Sequence, residues 1–181
     1  MEIKEEKIKG ILSIYPKVFG DDRGYFFESF NRERYDVFLP NVTFVQDNES
    51  CSGRNVLRGL HFQLPPFDQG KLVQVNKGKA LDVVVDIRTS SETYGKHLKI
   101  ILCSKNKNQL WIPPGFAHGF CALEEDTILT YKCTNYYSPE NERSILWNDK
   151  ILNIDWEVTT PIISNKDKNG IKFSEFISPF S

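Results

Sequence analysis

Short alternating apolar segments, separated by polar turns, constrain this chain more than any other feature of its sequence. In Leu81-Asp82-Val83-Val84-Val85-Asp86-Ile87, a two-residue period puts Leu81, Val83, Val85 and Ile87 on one face and both aspartates on the other. Lys71 to Val75 is a second β-branched run, closed by the turn Asn76-Lys77-Gly78-Lys79. His97 to Leu102, Gln109 to Ile112 and Thr127 to Cys133 read as further strands, with Ser104 to Asn108 as a polar turn between the first two. Turn signals at roughly 8–12-residue spacing predict an all-β sandwich or barrel. Helical periodicity is scarce: Asn31 to Leu39 reads as one short helix with Asn31 as its N-cap. Residues 145 to 156 read as irregular around Asn148-Asp149, and the tail from Ile163 to Ser181 as polar with scattered aromatics.

The 181 residues show no internal repeat, low-complexity stretch or linker, so a single domain over 1–181 is expected. Hydrophobic residues at 40% are enough to build its core. A formal net charge of −1 gives no electrostatic reason to expect a nucleic-acid or membrane partner, although local basic groups could hold a small anion. Cys51, Cys103, Cys121 and Cys133 form neither a C-x-x-C pair nor a zinc-ligand spacing, and free thiols in a reducing compartment are the expectation. Met1 to Lys9 is charged throughout and no apolar run approaches the ~20 residues of a membrane span, which leads to the expectation of a cytoplasmic protein.

The chain has only three histidines, so each is weighed separately. His97 reads as a surface or packing residue of its strand. His61 stands in Val56-Leu57-Arg58-Gly59-Leu60-His61-Phe62-Gln63, where polar groups interrupt an apolar run; it is either a satisfied core histidine or a functional one. His118 lies in the Pro- and Gly-shaped segment Trp111 to Phe120, as a ligand or a structural hydrogen-bonder. Lys71 shares a face with Val73 and Val75, and Tyr131 with Leu129. If those rows face the interior, the lysine needs an anion and the tyrosine a partner; if they cover the outside, neither does.

Read in order, these segments resemble the dTDP-4-dehydrorhamnose 3,5-epimerase family from about Phe19 to Asp167. The likeness is carried by Asp22-Arg23-Gly24-Tyr25-Phe26-Phe27-Glu28, Phe44 to Ser50, Val56 to Gln63, Gln69-Gly70-Lys71-Leu72-Val73, Trp111 to Phe120, Tyr131-Lys132, Tyr136 to Glu140 and Trp147-Asn148-Asp149. The resemblance implies a cupin-type jelly-roll β-sandwich with short peripheral helices, and a homodimer that exchanges strands. It implies His61 as general base, Asp167 as its orienting carboxylate, Tyr131 as proton donor and Lys71 as the cation facing an enolate oxygen. Arg23, Glu28, Gln46, Asp47, Asn48, Arg58, His118, Glu142 and Lys166 are implied as substrate-binding, with Arg23 and Glu28 reaching the partner's site. Glu49, Asn55 and Gln74 depart from the family's usual histidine, glycine and arginine.

The implied chemistry inverts C3 and C5 of a nucleoside-diphosphate 4-keto-6-deoxyhexose, converting dTDP-4-dehydro-6-deoxyglucose to dTDP-4-dehydrorhamnose. A proton beside a ketone is removed by a base of near-neutral pKa, which suits histidine. The enolate needs a preorganised positive charge, and inversion needs an acid on the opposite face. No cofactor or metal is required. Metal-binding cupins need several converging histidines, and three widely separated ones fit that poorly. A single-carbon or GDP-linked keto-sugar epimerase, and a non-catalytic sugar-nucleotide-binding module, stand as alternatives.

Overall fold

A computed structural model describes residues 1–181, nearly all of whose regular structure is strand. With strands numbered in chain order, one sheet runs β1 (Glu2–Glu5), β2 (Leu12–Tyr15), β10 (Gln109–Ile112), β7 (Lys71–Lys77), β12 (Thr127–Cys133), β5 (Gln46–Ser52). The other runs β13 (Glu142–Ser144), β6 (Val56–Gln63), β11 (Phe116–Ala122), β8 (Lys79–Asp86), β9 (His97–Cys103). These neighbours pair antiparallel, and β14 (Ile162–Ile163) adds a parallel pairing to β6. A separate hairpin, β3 (Phe19–Asp21) and β4 (Gly24–Phe26), stands off both sheets.

The sheets close on one another because each turns an apolar row inward. Val73, Val75, Leu110, Ile112 and Leu129 from the first sheet meet Ala80, Val84, Phe116 and Phe120 from the second in one buried cluster. Burying each of the larger side chains stabilises the sandwich by about 1.5–3 kcal/mol. The result is a cupin-like jelly roll, a sandwich as the strand pattern predicts and the form the family resemblance implies.

The alternation in β8 is present, and both of its faces are buried. Asp82 and Asp86 lie on the interior face with Ala80 and Val84, while Leu81, Val83, Val85 and Ile87 form a second core with Leu152, Trp156 and the tail aromatics Phe173, Phe176 and Phe180. Each buried carboxylate is satisfied by hydrogen bonds. Asp86 accepts from Arg88 Nε (2.9 Å), Arg88 Nη2 (2.7 Å), Ser91 Oγ (2.6 Å) and Thr93 Oγ1 (2.6 Å). Burial pushes its pKa up, but these donors outweigh that and bring it to about 2.

The expected helix starts where predicted and stops early. The Asn31 side chain accepts from Arg34 N–H (3.3 Å) as N-cap of α1 (Arg32–Tyr35). Phe38 and Leu39 N–H then both turn back to the Tyr35 carbonyl, ahead of Pro40. The tail adds α2 (Asn165–Lys168) and a 3-10 turn at Phe173–Glu175. All four cysteines are free.

Candidate active site

At one end of the sandwich the sheets part around a cavity of about 680 Å³, walled by β5, β6, β7, β11 and β12 and by the segment from β14 to α2. A bulge in β6 determines which side chains enter it. His61 sits opposite His118 and Arg58 opposite Phe120, so two residues of β6, Gly59 and Leu60, face the single Gly119. In a regular strand, residues three apart point to opposite faces; the extra residue brings Arg58 and His61 onto the cavity face together, followed by Gln63. Leu57, Leu60 and Phe62 are left for the second core. Gly59 permits this because its φ is +126° and a Cβ there would lie 2.5 Å from the Gly119 Cα.

His61 Nε2 lies 2.6 Å from Asp167 Oδ1, joining β6 to α2. Burial raises the Asp167 pKa, but its bond to His61, the His61 charge and contacts from Ser164 and the Gly59 N–H outweigh this, and the net shift is downward. An ionised carboxylate only accepts hydrogen bonds, so Nε2 must carry a hydrogen. In the neutral ring Nδ1 then keeps a free lone pair, and no protein group bonds it.

Lys71 and Tyr131 enter from neighbouring strands of the opposite sheet, the lysine Nζ 5.9 Å from the tyrosine ring centroid. Neither Lys71 Nζ nor the Tyr131 hydroxyl has a hydrogen-bond partner in the chain, and both residues line the cavity. Burial is the main cause of a lowered Lys71 pKa, opposed by Cys133, Glu142 and Asp82. Burial likewise raises the Tyr131 pKa, helped by Cys133 and Glu142 and opposed by Arg58. The phenol therefore keeps its proton, and no carboxylate lies within ion-pair distance of the lysine Nζ.

At the rim, Arg58 Nε bonds Ser52 Oγ (3.1 Å) and its Nη2 the Cys51 carbonyl (3.3 Å), which fixes the guanidinium. Glu142 accepts from the Tyr137 hydroxyl (2.6 Å) and pairs with Lys166 on α2. Burial raises the Glu142 pKa, but Lys166, Tyr137 and His61 bring it down; Tyr137 in turn is pushed up to about 12, chiefly by Glu142. His118 Nε2 lies between the two oxygens of the fully buried Asp82, at 2.8 and 3.0 Å. No three His, Cys, Asp or Glu side chains converge as a metal-ligand set.

Of the thirteen residues expected to form the site, the structure gathers ten around the cavity: Gln46, Asn48, Arg58, His61, Lys71, His118, Tyr131, Glu142, Lys166 and Asp167. The other three lie outside the cavity of their own chain, as expected for Arg23 and Glu28 if they reach the partner's site. Asp47 alternates with Gln46 and Asn48, so it faces the outer side of β5, where Lys132 holds it at 3.0 Å. Arg23 stays on its hairpin, bonded to Asp21, and Glu28 pairs with Arg34 and Asn31. The sequence reading left Tyr137, Gln63 and Ser164 unassigned, although they line the cavity. Parity with His61 marks Gln63; nothing local marks the other two.

The site is thus a His–Asp pair facing a lysine and a tyrosine across the cavity of a two-sheet jelly roll, a cupin-like fold. A family model described as dTDP-4-dehydrorhamnose 3,5-epimerase matches residues 5–175. A Shigella flexneri dTDP-4-dehydrorhamnose 3,5-epimerase is 52% identical over 174 residues, covering 96% of each chain. The crystal structure of a Legionella pneumophila dTDP-6-deoxy-D-glucose-3,5-epimerase, in complex with dTDP-4-keto-L-rhamnose, superposes with a TM-score of 0.95 at 43% identity, covering 99% of this chain and 98% of that one. A Streptomyces bikiniensis 3'-monoepimerase in complex with dTDP-quinovose superposes at 0.90 with 30% identity, covering 94% and 87%. The chain belongs to the dTDP-4-dehydrorhamnose 3,5-epimerase family and is an isomerase. No helix is long and apolar enough to cross a membrane.

Proposed function

We propose that this enzyme inverts C3 and C5 of dTDP-4-dehydro-6-deoxyglucose, giving dTDP-4-dehydrorhamnose, by proton transfer through an enolate. The observation that carries this is the pair of unpartnered groups, Lys71 Nζ and Tyr131 OH, entering the cavity from the sheet opposite the His61–Asp167 pair. His61 Nδ1 takes the proton beside the C4 ketone, and Asp167 supports the imidazolium that forms. Lys71 meets the charge developing on the ketone oxygen. Tyr131 returns a proton to the other face of the ring. Arg58 and Lys166 hold the diphosphate, the former through paired N–H donors. Gln46, Asn48, His118 and Glu142 contact the substrate around them, and no cofactor takes part.

The working form is a cytoplasmic homodimer with exchanged strands, and each subunit is a single jelly-roll domain. Supporting this, the hairpin leaves Tyr25 (62%) and Phe26 (67%) largely exposed, with Lys107 lying over the Tyr25 ring, and Arg23 and Glu28 lie outside their own chain's cavity. Both would act in the partner's site.

The test is proton NMR of dTDP-4-dehydro-6-deoxyglucose in deuterated water with catalytic enzyme. Loss of both the C3 and C5 signals is expected. The likeness to a 3'-monoepimerase favours inversion at one carbon as the second reading, which loss of the C3 signal alone would establish. No exchange would refute the substrate assignment and direct the test to a GDP-linked keto sugar. Tight binding without exchange on either would mark a non-catalytic sugar-nucleotide module.

A further inference from the structure

A cavity equipped with Arg58, Lys71 and Lys166 for an anionic ligand also holds the carboxylate of Glu142, whose side chain is only 14% exposed. Beside a bound diphosphate this charge lowers affinity, so its presence calls for a compensating role. Glu142 rises from β13 opposite Gln63 of β6 and sends Oε2 to both the Tyr137 hydroxyl and Lys166 Nζ. Lys166 and Asp167 are consecutive residues of α2, and Asp167 holds the His61 ring. A one-turn helix has almost no stability of its own. Besides its backbone bonds, α2 is held by the Ser164 cap to the Asp167 N–H (3.1 Å), by Asp167 on His61 and the Gly59 N–H, and by Lys166 on Glu142.

We propose that Glu142 is a positioning residue that stands in for the substrate's diphosphate: in the empty cavity it holds Lys166, and through α2 the Asp167–His61 pair, in the working arrangement, and it hands Lys166 over when the diphosphate enters. This rests on the reading of the cavity as a nucleotide-diphosphate site. The base is then preorganised before substrate arrives, and the ordering of α2 is not deducted from binding.

The test uses dTDP as probe, calorimetry for affinity, and 15N NMR of the ring nitrogens, which three histidines keep resolvable. Replacing Glu142→Gln removes the competing charge, and dTDP is expected to bind at least about threefold more tightly. In the empty variant the His61 ring shifts should leave their wild-type values and return on saturation with dTDP. In Lys166→Gln they should be displaced both with and without dTDP. Unchanged or weaker dTDP binding by Glu142→Gln would overturn the proposal and leave Glu142 as a substrate contact alone. Unmoved His61 shifts in both empty variants would show that α2 does not depend on this anchor. Failure of dTDP to bind the wild-type enzyme would refute the nucleotide reading instead, while the empty variants would still decide whether Glu142 positions His61.

Discussion

Replacing Asp167→Asn tests the proton-transfer reading most directly, because it preserves shape and removes charge. The carboxylate is buried and 2.6 Å from His61 Nε2. Its attraction to the ring becomes charge-assisted when His61 takes the substrate proton, so it acts mainly on the transition state. A hydrogen bond to a charged group contributes about 1.5–3 kcal/mol, which sets the expected fall in kcat at about 10–150-fold with KM little changed. If the asparagine turns its NH2 toward Nε2, the ring hydrogen moves to Nδ1, the base is lost and the deficit grows toward about 10⁴. The assay is loss of the C3 and C5 proton signals in deuterated water at saturating substrate. Retention of kcat within about threefold would refute the pair's role. A stability measurement gives an independent check. The folded-state pKa of Asp167 lies below its reference value of 3.8, so its contribution is complete above that value and is lost as pH falls through the lower, folded one. The variant should lack this acid limb.

Lys71→Met should lower kcat about 10²–10³-fold, as loss of one oxyanion donor does, while urea unfolding shows equal or higher stability because a desolvated amine without a hydrogen-bond partner has been removed. Asp86 titrates at about 2 in the folded chain against a reference of 3.8, a difference of about 2–2.5 kcal/mol of stability above pH ~4 that is lost as pH falls through about 2. Asp86→Asn should therefore lower Tm by about 5–10 °C at neutral pH, and the gap from wild type should close near pH ~2 in calorimetry. Gly59→Ala puts a Cβ 2.5 Å from the Gly119 Cα at a φ of +126°, and should cost about 2–3 kcal/mol or more by urea midpoint.

Much of the site can be read locally. The order Leu57, Arg58, Gly59, Leu60, His61, Phe62, Gln63 is two strand alternations separated by one glycine, and the bulge turns that pattern into a shared cavity face. Parity alone aligned Lys71 with Val73 and Tyr131 with Leu129, and the structure turns both rows inward. What stayed illegible depends on distant segments. Alternation in β8 cannot show that its second face is covered, because the cover is Phe173, Phe176 and Phe180. The tail reads as polar because its aromatics sit singly, each anchored on the outer face of the second sheet. The charged opening Glu2–Glu5 hides an edge strand, whose side chains all face solvent. Arg23 and Glu28 carry no local sign of where they act, since their own chain offers them only Asp21, Arg34 and Asn31.

The bond between His61 and Asp167 spans 106 positions of the chain. At about 5–20 residues per second, a ribosome takes roughly 5–20 s to make the stretch between them. Through that interval the strands bearing His61, Lys71, His118 and Tyr131 are successively released and free to pair, while the histidine waits for its carboxylate. The residue that completes the His61–Asp167 pair emerges just ahead of those that seal the second core. A growing chain therefore has every residue of its inner core before its His–Asp pair can form, and the second core closes last.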